Sequence, residues 1–103
     1  MTSDIMQTDG IVQSIDNLNN QAYELRHTDQ KKSAELAKNA LNLSSKAGYK
    51  SGLGYALLNS GFQEFASSLY REAFTTFNQA LNVFRDLGDP AGIAHAYYNL
   101  GLV

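Results

Sequence analysis

Few side chains in this sequence have a spacing that could support catalysis or metal binding. The two histidines, His27 and His95, have no cysteine or second histidine nearby, whereas a zinc site needs three or four such ligands. Three carboxylates, Glu24, Glu64 and Glu72, fall at polar positions of helical segments, where solvation is their ordinary role. The stretch GLGYAL lacks the last glycine of a dinucleotide fingerprint. The sequence therefore predicts no enzyme, no metal site and no cofactor.

The amides of three asparagines have a regular spacing that could bind a peptide backbone. Asn19, Asn59 and Asn99 recur every 40 residues, although a turn one residue shorter would give Asn20 the role of Asn19. Each amide offers a hydrogen-bond donor and an acceptor, so a row of them can bind an extended chain irrespective of its side chains. Alternatively, these asparagines bond only neighbouring helices. The sequence leaves both interpretations open.

The asparagines belong to a longer internal repeat. Residues 39–61, NALNLSSKAGYKSGLGYALLNSG, return without insertion or deletion as residues 79–101, QALNVFRDLGDPAGIAHAYYNLG. The identical positions are Ala40/Ala80, Leu41/Leu81, Asn42/Asn82, Gly48/Gly88, Gly52/Gly92, Ala56/Ala96, Asn59/Asn99 and Gly61/Gly101. A period of this length is typical of stacked supersecondary units.

The sequence pattern predicts two helices in each unit of the repeat. Apolar and small residues fall at spacings of three and four, and each run stops at a glycine, Gly48 or Gly88, which suits a helix C-terminus. Asp89 can then cap a new helix that begins with Pro90. The pattern predicts five helices, near 9–27, 30–47, 51–67, 70–87 and 90–103, with residues 1–8 disordered.

Aromatic residues and glycines indicate where these helices approach each other. Phe77, Phe84 and Tyr70 fall on the apolar stripe of their helix and are predicted to lie in the core. Gly61 and Gly101 lie inside helices, where glycine costs up to about 1 kcal/mol relative to alanine. Close approach of a neighbouring helix is the compensating reason that we expect at both glycines.

Composition excludes several classes of partner. The formal net charge is -2, with 8 Lys and Arg, so a phosphate-tracking surface is not expected. The N-terminus lacks the basic and apolar regions of a leader, and no apolar run approaches the roughly 20 residues of a membrane span. There is no cysteine and hence no disulfide framework. These features predict a cytoplasmic protein that binds neither nucleic acid nor membrane.

The spacing of Gly61, Ala73, Phe77 and Ala80 resembles the tetratricopeptide repeat, and one period earlier Ser33, Ala37 and Ala40 occupy the matching places. The sequence departs from the family pattern in two ways. Its period is 40 residues rather than about 34, which resembles a subclass with longer helices. Glu64 also stands where the family has tyrosine. The resemblance implies an all-α fold, a right-handed α-solenoid of stacked antiparallel helix pairs. Its repeats would span about 9–47 and 51–87, with a half repeat at 90–103, all in one domain covering 9–103.

Within that subclass the sequence looks like the N-terminal repeat arrays of bacterial signalling proteins, such as diguanylate and nucleotide cyclases and histidine kinases. This likeness implies a regulatory or scaffold region and a fragment of a longer protein. The last helix would also expose a face that solenoids normally cover with a capping helix.

The resemblance further implies a concave groove that binds a peptide or protein partner, lined by the first helix of each pair. The groove residues it implies are Asn19, Tyr55, Leu58, Asn59, Phe62, Phe65, His95, Tyr98, Asn99 and Leu102. The alternative function is self-association, in which the uncovered terminal helices of two chains pair to form a homodimer.

Overall fold

The computed structural model describes residues 2–103, with side chains from Gly10 onward, and this part of the chain is entirely helical. Its five helices are α1 (Thr2–Glu24), α2 (Gln30–Ala47), α3 (Lys50–Ala66), α4 (Tyr70–Leu87) and α5 (Pro90–Leu102). The all-α prediction with five helices is confirmed for the described residues. Helix α1 begins at Thr2 rather than near residue 9 and ends at Glu24 rather than near residue 27. Met1 lies outside the described part, and disorder of residues 1–8 stays a prediction.

The ends of the helices follow local sequence rules. Asp29 and Asp89 cap α2 and α5, each accepting a hydrogen bond from a backbone N–H three residues on, at 3.1 and 3.2 Å. Gly48 and Gly88 end α2 and α4 with φ of 66° and 65°, the left-handed conformation that glycine adopts without strain. The turn between α3 and α4 differs, because Ser68 takes a positive φ of 63° there.

The arrangement of the helices separates odd-numbered from even-numbered ones. Each helix contacts the next along the chain, and in addition α1 contacts α3 and α3 contacts α5. Within residues 2–103 there is no corresponding contact between α2 and α4. The odd helices therefore form a continuous layer, and the described chain is elongated, with extents of 46 × 30 × 19 Å.

The main core lies between α3, α4 and α5 and is built on two phenylalanines. Phe77 and Phe84 are fully buried, as the sequence predicted. A Cβ added to Gly61 would lie 2.6 Å from Phe77 Cε1, so the predicted close approach at Gly61 is confirmed. Tyr70, also predicted to lie in the core, is 53% exposed, because α4 begins there and the core starts one turn later, at Ala73.

Polar contacts join the helices around this core. Glu64, at the place where the resembling family has tyrosine, accepts a hydrogen bond from Thr76 Oγ1 at 2.6 Å and so connects α3 to α4. Tyr49 donates to Asp16 Oδ1 at 2.9 Å and connects the start of α3 to α1. Burial, followed by the hydrogen bond to Asp16, raises the pKa of the Tyr49 phenol above its usual value of 10.0. Tyr49 is therefore a neutral donor at physiological pH.

Candidate functional site

A group of aromatic side chains crosses the layer of odd helices. His27, which follows α1, packs edge-to-face on Phe62 of α3, with ring centroids 5.3 Å apart. About two turns earlier on α3, Tyr55 packs edge-to-face on His95 of α5, with ring centroids 6.2 Å apart. Phe62 also contacts Phe65 at 6.3 Å. We call His27, Phe62, Phe65, Tyr55 and His95 the aromatic row.

The aromatic row combines fixed rings with accessible edges. Tyr55, Phe62 and Phe65 are partly buried, whereas His27 and His95 are exposed. The buried ring of Phe84 packs edge-to-face on Tyr55, with ring centroids 5.0 Å apart, so the core fixes the orientation of the Tyr55 ring. Burial, and then the negative charge of Asp89, raise the pKa of the Tyr55 phenol above 10.0. The row therefore presents apolar ring surface together with a neutral hydroxyl and two imidazoles.

Four of the ten residues predicted for the groove, Tyr55, Phe62, Phe65 and His95, lie in the aromatic row. The fifth member, His27, is not among the residues that the sequence predicts for the groove. No repeat signal could have found it, because the residue 40 positions on is Ser67. His27 lies in the turn between α1, which ends at Glu24, and α2, and its ring contacts Phe62 from there.

The asparagines Asn19 and Asn59 face inwards, where they bond neighbouring helices. Asn59 Nδ2 donates to the carbonyl oxygen of Asn19 at 3.1 Å, and Asn19 Nδ2 donates to the carbonyl oxygen of Gly52 at 3.0 Å. Only 8% of Asn59 and 6% of Asn19 is exposed. Both amide groups therefore already have partners inside the protein, which favours the helix-to-helix interpretation over the peptide clamp.

Two further groups of predicted groove residues are separate from the aromatic row. Leu58 is 7% exposed and belongs to the core cluster with Phe77, which corrects its assignment to the groove. Tyr98 and Leu102 are exposed on α5. The Asn99 amide donates to the carbonyl oxygen of His95 within α5, at 2.8 Å, and makes no bond to another helix in the described part of the chain.

A buried polar network that the sequence did not indicate joins α1, α2 and α3. Ser33 Oγ donates to the carbonyl oxygen of Ala22 at 2.6 Å and accepts a hydrogen bond from Gln63 Nε2 at 3.1 Å. Gln63 Nε2 also reaches the carbonyl oxygen of Arg26, at 3.3 Å. Ser33 is fully buried. These bonds give the first repeat a fixed geometry, so His27 is held in position beside Phe62.

The described residues contain no group of three or more His, Cys, Asp or Glu side chains placed to hold a metal ion. No helix in the same part of the chain is both long enough and apolar enough to cross a membrane. Comparison of the chain with protein-family models, with curated proteins and with solved structures finds no match.

Proposed function

We propose that this chain is a protein-interaction module that binds an extended peptide segment on the aromatic row. The observation that carries the proposal is the pair of edge-to-face contacts, His27 to Phe62 and Tyr55 to His95, which join the turn after α1 to α3 and α3 to α5. Aromatic rings in this condition, fixed on one side and open on the other, bind partners at low entropic cost.

The proposed architecture is a right-handed solenoid of antiparallel helix pairs, with the odd helices on its concave wall. The support for it is the continuous contact of α1 with α3 and of α3 with α5, which the even helices lack within residues 2–103. When the helices on one side of a stack of repeats lie closer together than those on the other side, the stack curves so that the closer helices line its concave wall. The aromatic row would then lie in the groove that such curvature forms.

The spacing of the row suggests the chemistry of the bound segment. Tyr55 and Phe62 are seven residues apart on α3, which corresponds to roughly 10 Å along a helix. A polyproline-II segment presents every third side chain on one side at a spacing of about 9 Å. We therefore expect a ligand with two apolar side chains three residues apart, since aromatic-lined grooves bind such segments.

The proposed biological role follows from the resemblance to the arrays ahead of bacterial signalling domains. In that setting the module would be a regulatory or scaffold region, with a protein or peptide partner and no catalytic activity of its own. Self-association is the second candidate function, and the observation that favours it is the exposure of α5, where Tyr97 and Tyr98 are 51% and 70% exposed. Sedimentation velocity over a hundredfold range of protein concentration distinguishes peptide binding from self-association. A chain that stays monomeric over the whole range would exclude self-association.

A displayed library of random twelve-residue peptides, selected on the immobilised chain, tests the main proposal. The selected peptides are measured against the parent chain and against Phe62→Ala, His95→Ala and Phe74→Ala. Phe74 is the matched control, because it is an exposed aromatic residue on the even helix α4. We expect Phe62→Ala and His95→Ala to bind the peptides at least about tenfold more weakly than the parent chain. Phe74→Ala should bind them as tightly as the parent. Equal loss with Phe74→Ala, or no loss with the row variants, would refute the proposal.

A further inference from the structure

A cavity of about 250 Å³ lies on α3, on the side where α2 and α4 flank that helix. Helices α2 and α4 do not contact each other within residues 2–103, so α3 forms the floor of the space. The floor residues follow one another at spacings of three and four, which places them on one stripe of the helix. They are Ser60, Gln63, Glu64 and Ser67, and the walls are Ala34 of α2 and Leu69, which precedes α4.

The amide of Gln63 supplies a fixed oxygen to this cavity. Its Nε2 donates to Ser33 Oγ and to the carbonyl oxygen of Arg26, at 3.1 and 3.3 Å. A carbonyl oxygen can only accept, so these bonds hold the amide with its nitrogen inwards and its oxygen on the opposite side. Gln63 is only 9% exposed, and its Oε1 accepts no hydrogen bond from the described residues. A buried and oriented acceptor is therefore left in the cavity that Gln63 lines.

The carboxylate of Glu64 adds a negative charge beside that oxygen. Thr76 Oγ1 donates to Glu64 Oε1 at 2.6 Å and holds the carboxylate in one orientation. The second oxygen, Oε2, accepts no hydrogen bond from the described part of the chain. The hydroxyl groups of Ser60 and Ser67 complete the floor. The cavity therefore presents several hydrogen-bond acceptors and one negative charge.

We propose that this cavity binds a primary alkylammonium group, either of a partner's lysine side chain or of a free amine. An ammonium carries three N–H donors and no acceptor, which matches a carboxylate, an amide oxygen and two hydroxyls. Its alkyl stem can pack between Ala34 and Leu69, as lysine methylenes do on apolar surfaces. A guanidinium fits less well, because its bidentate pairing uses both carboxylate oxygens and Thr76 already occupies Oε1 of Glu64. None of the lining residues belongs to the aromatic row, so the site can be tested without a peptide there.

The test titrates n-butylammonium chloride and Nα-acetyl-lysine amide into the ¹⁵N-labelled chain at constant ionic strength, followed by nuclear magnetic resonance. We expect saturable shifts at the backbone amides of Ser60 and Glu64 and at the side-chain amide of Gln63, with a dissociation constant of about 10 mM or less. Nα-acetyl-norleucine amide, which lacks the ammonium, should bind at least about tenfold more weakly. A lysine derivative that binds at least as tightly as butylammonium assigns the site to a partner's lysine, and weaker binding assigns it to a free amine.

Three variants locate the bound ammonium. Glu64→Gln keeps an acceptor for Thr76 but removes the charge, and it should weaken binding at least about tenfold. Asp86→Asn is the matched control, since Asp86 is an exposed carboxylate of α4 outside the cavity, and it should bind as the parent does. Ala34→Leu leaves the polar groups intact, and its larger side chain should block the cavity; Ala34 is exposed, so the fold should be retained.

Three results would overturn the inference. The first is no saturation with either probe up to about 50 mM. The second is binding of the norleucine or the corresponding arginine derivative as tight as that of the lysine derivative, because the cavity would then not recognise an ammonium. The third is binding that Glu64→Gln and Ala34→Leu both leave unchanged, because the ammonium would then lie elsewhere on the chain.

Discussion

Replacing Gly92 by alanine is expected to destabilise the domain, because the ring of Phe84 occupies the space that the new methyl group needs. A Cβ at Gly92 would lie 2.0 Å from Phe84 Cδ1 and 2.4 Å from Cγ. The ring cannot move away from α5, since its opposite edge lies against Gly54 of α3, with Cζ 2.6 Å from the position of an added Cβ there. Phe84 is fully buried between these two glycines.

Two opposing effects set the size of the change. Alanine is favoured over glycine by up to about 1 kcal/mol in a helix interior, and by less at Gly92, which lies in the first turn of α5. Overpacking of a core by one methyl group costs about 1–3 kcal/mol, and contacts this short fall at the upper end. We therefore expect a net loss of about 1–3 kcal/mol in the free energy of unfolding of Gly92→Ala.

Urea unfolding followed by far-UV circular dichroism measures this change. The control is Gly10→Ala, which adds a methyl group to α1 at a place where no described atom lies within 4 Å, and it should leave stability unchanged or raise it by up to about 1 kcal/mol. Phe84→Leu should reduce the cost of Gly92→Ala in a double-mutant cycle, because the smaller side chain leaves room for the methyl group. A Gly92→Ala variant as stable as the parent would show that the Phe84 ring does not limit the space at Gly92.

Other substitutions test the polar contacts of the interior. Asn59→Ala should lower the free energy of unfolding in urea by about 1–2 kcal/mol, because it removes a buried bond between α1 and α3, whereas Asn99→Ala should change it by less than about 0.5 kcal/mol; equal effects would contradict the assignment. Ser44→Ala should be neutral or stabilising in thermal melts, since the buried Ser44 hydroxyl has no hydrogen-bond partner among the described residues, while Ser33→Ala should cost about 1–2 kcal/mol; a costly Ser44→Ala would contradict this expectation. The raised pKa of Tyr49 means that its contribution to stability is complete below pH 10, the unfolded value, and is lost as pH rises above it. Unfolding of the parent between pH 8 and pH 12 should show this loss, and Tyr49→Phe should reduce it; an unchanged profile would exclude Tyr49 as its source.

Local rules were enough to predict much of the fold. The bounds of α2 and α4 match the prediction, because glycine ends each helix and fixes the next turn in a way that does not depend on the rest of the protein. The close approach at Gly61 could also be predicted, since an interior glycine needs a compensating contact. Gly101 has no such contact in the described chain, and only the structure distinguishes these two equivalent glycines.

The direction of side chains near the edge of a helical stripe could not be predicted in the same way. Asn59 lies next to Leu58 on α3, and both turn inwards because α1 and α4 pack on either side of that helix. At the equivalent places on α5, Tyr98 and Asn99 are far more exposed, since fewer helices surround them. The helical period is the same in both cases, so burial here depends on the neighbours rather than on the sequence of the helix itself.

The central claim, that a peptide binds on the aromatic row, is tested most directly by nuclear magnetic resonance. A selected peptide is titrated into the ¹⁵N-labelled chain, and the changes in backbone amide shifts are mapped along the sequence. We expect the largest changes around Phe62 and Tyr55 on α3 and around His95 on α5, with little change on α2 and α4. Changes concentrated on the even helices, with the row unaffected, would contradict it.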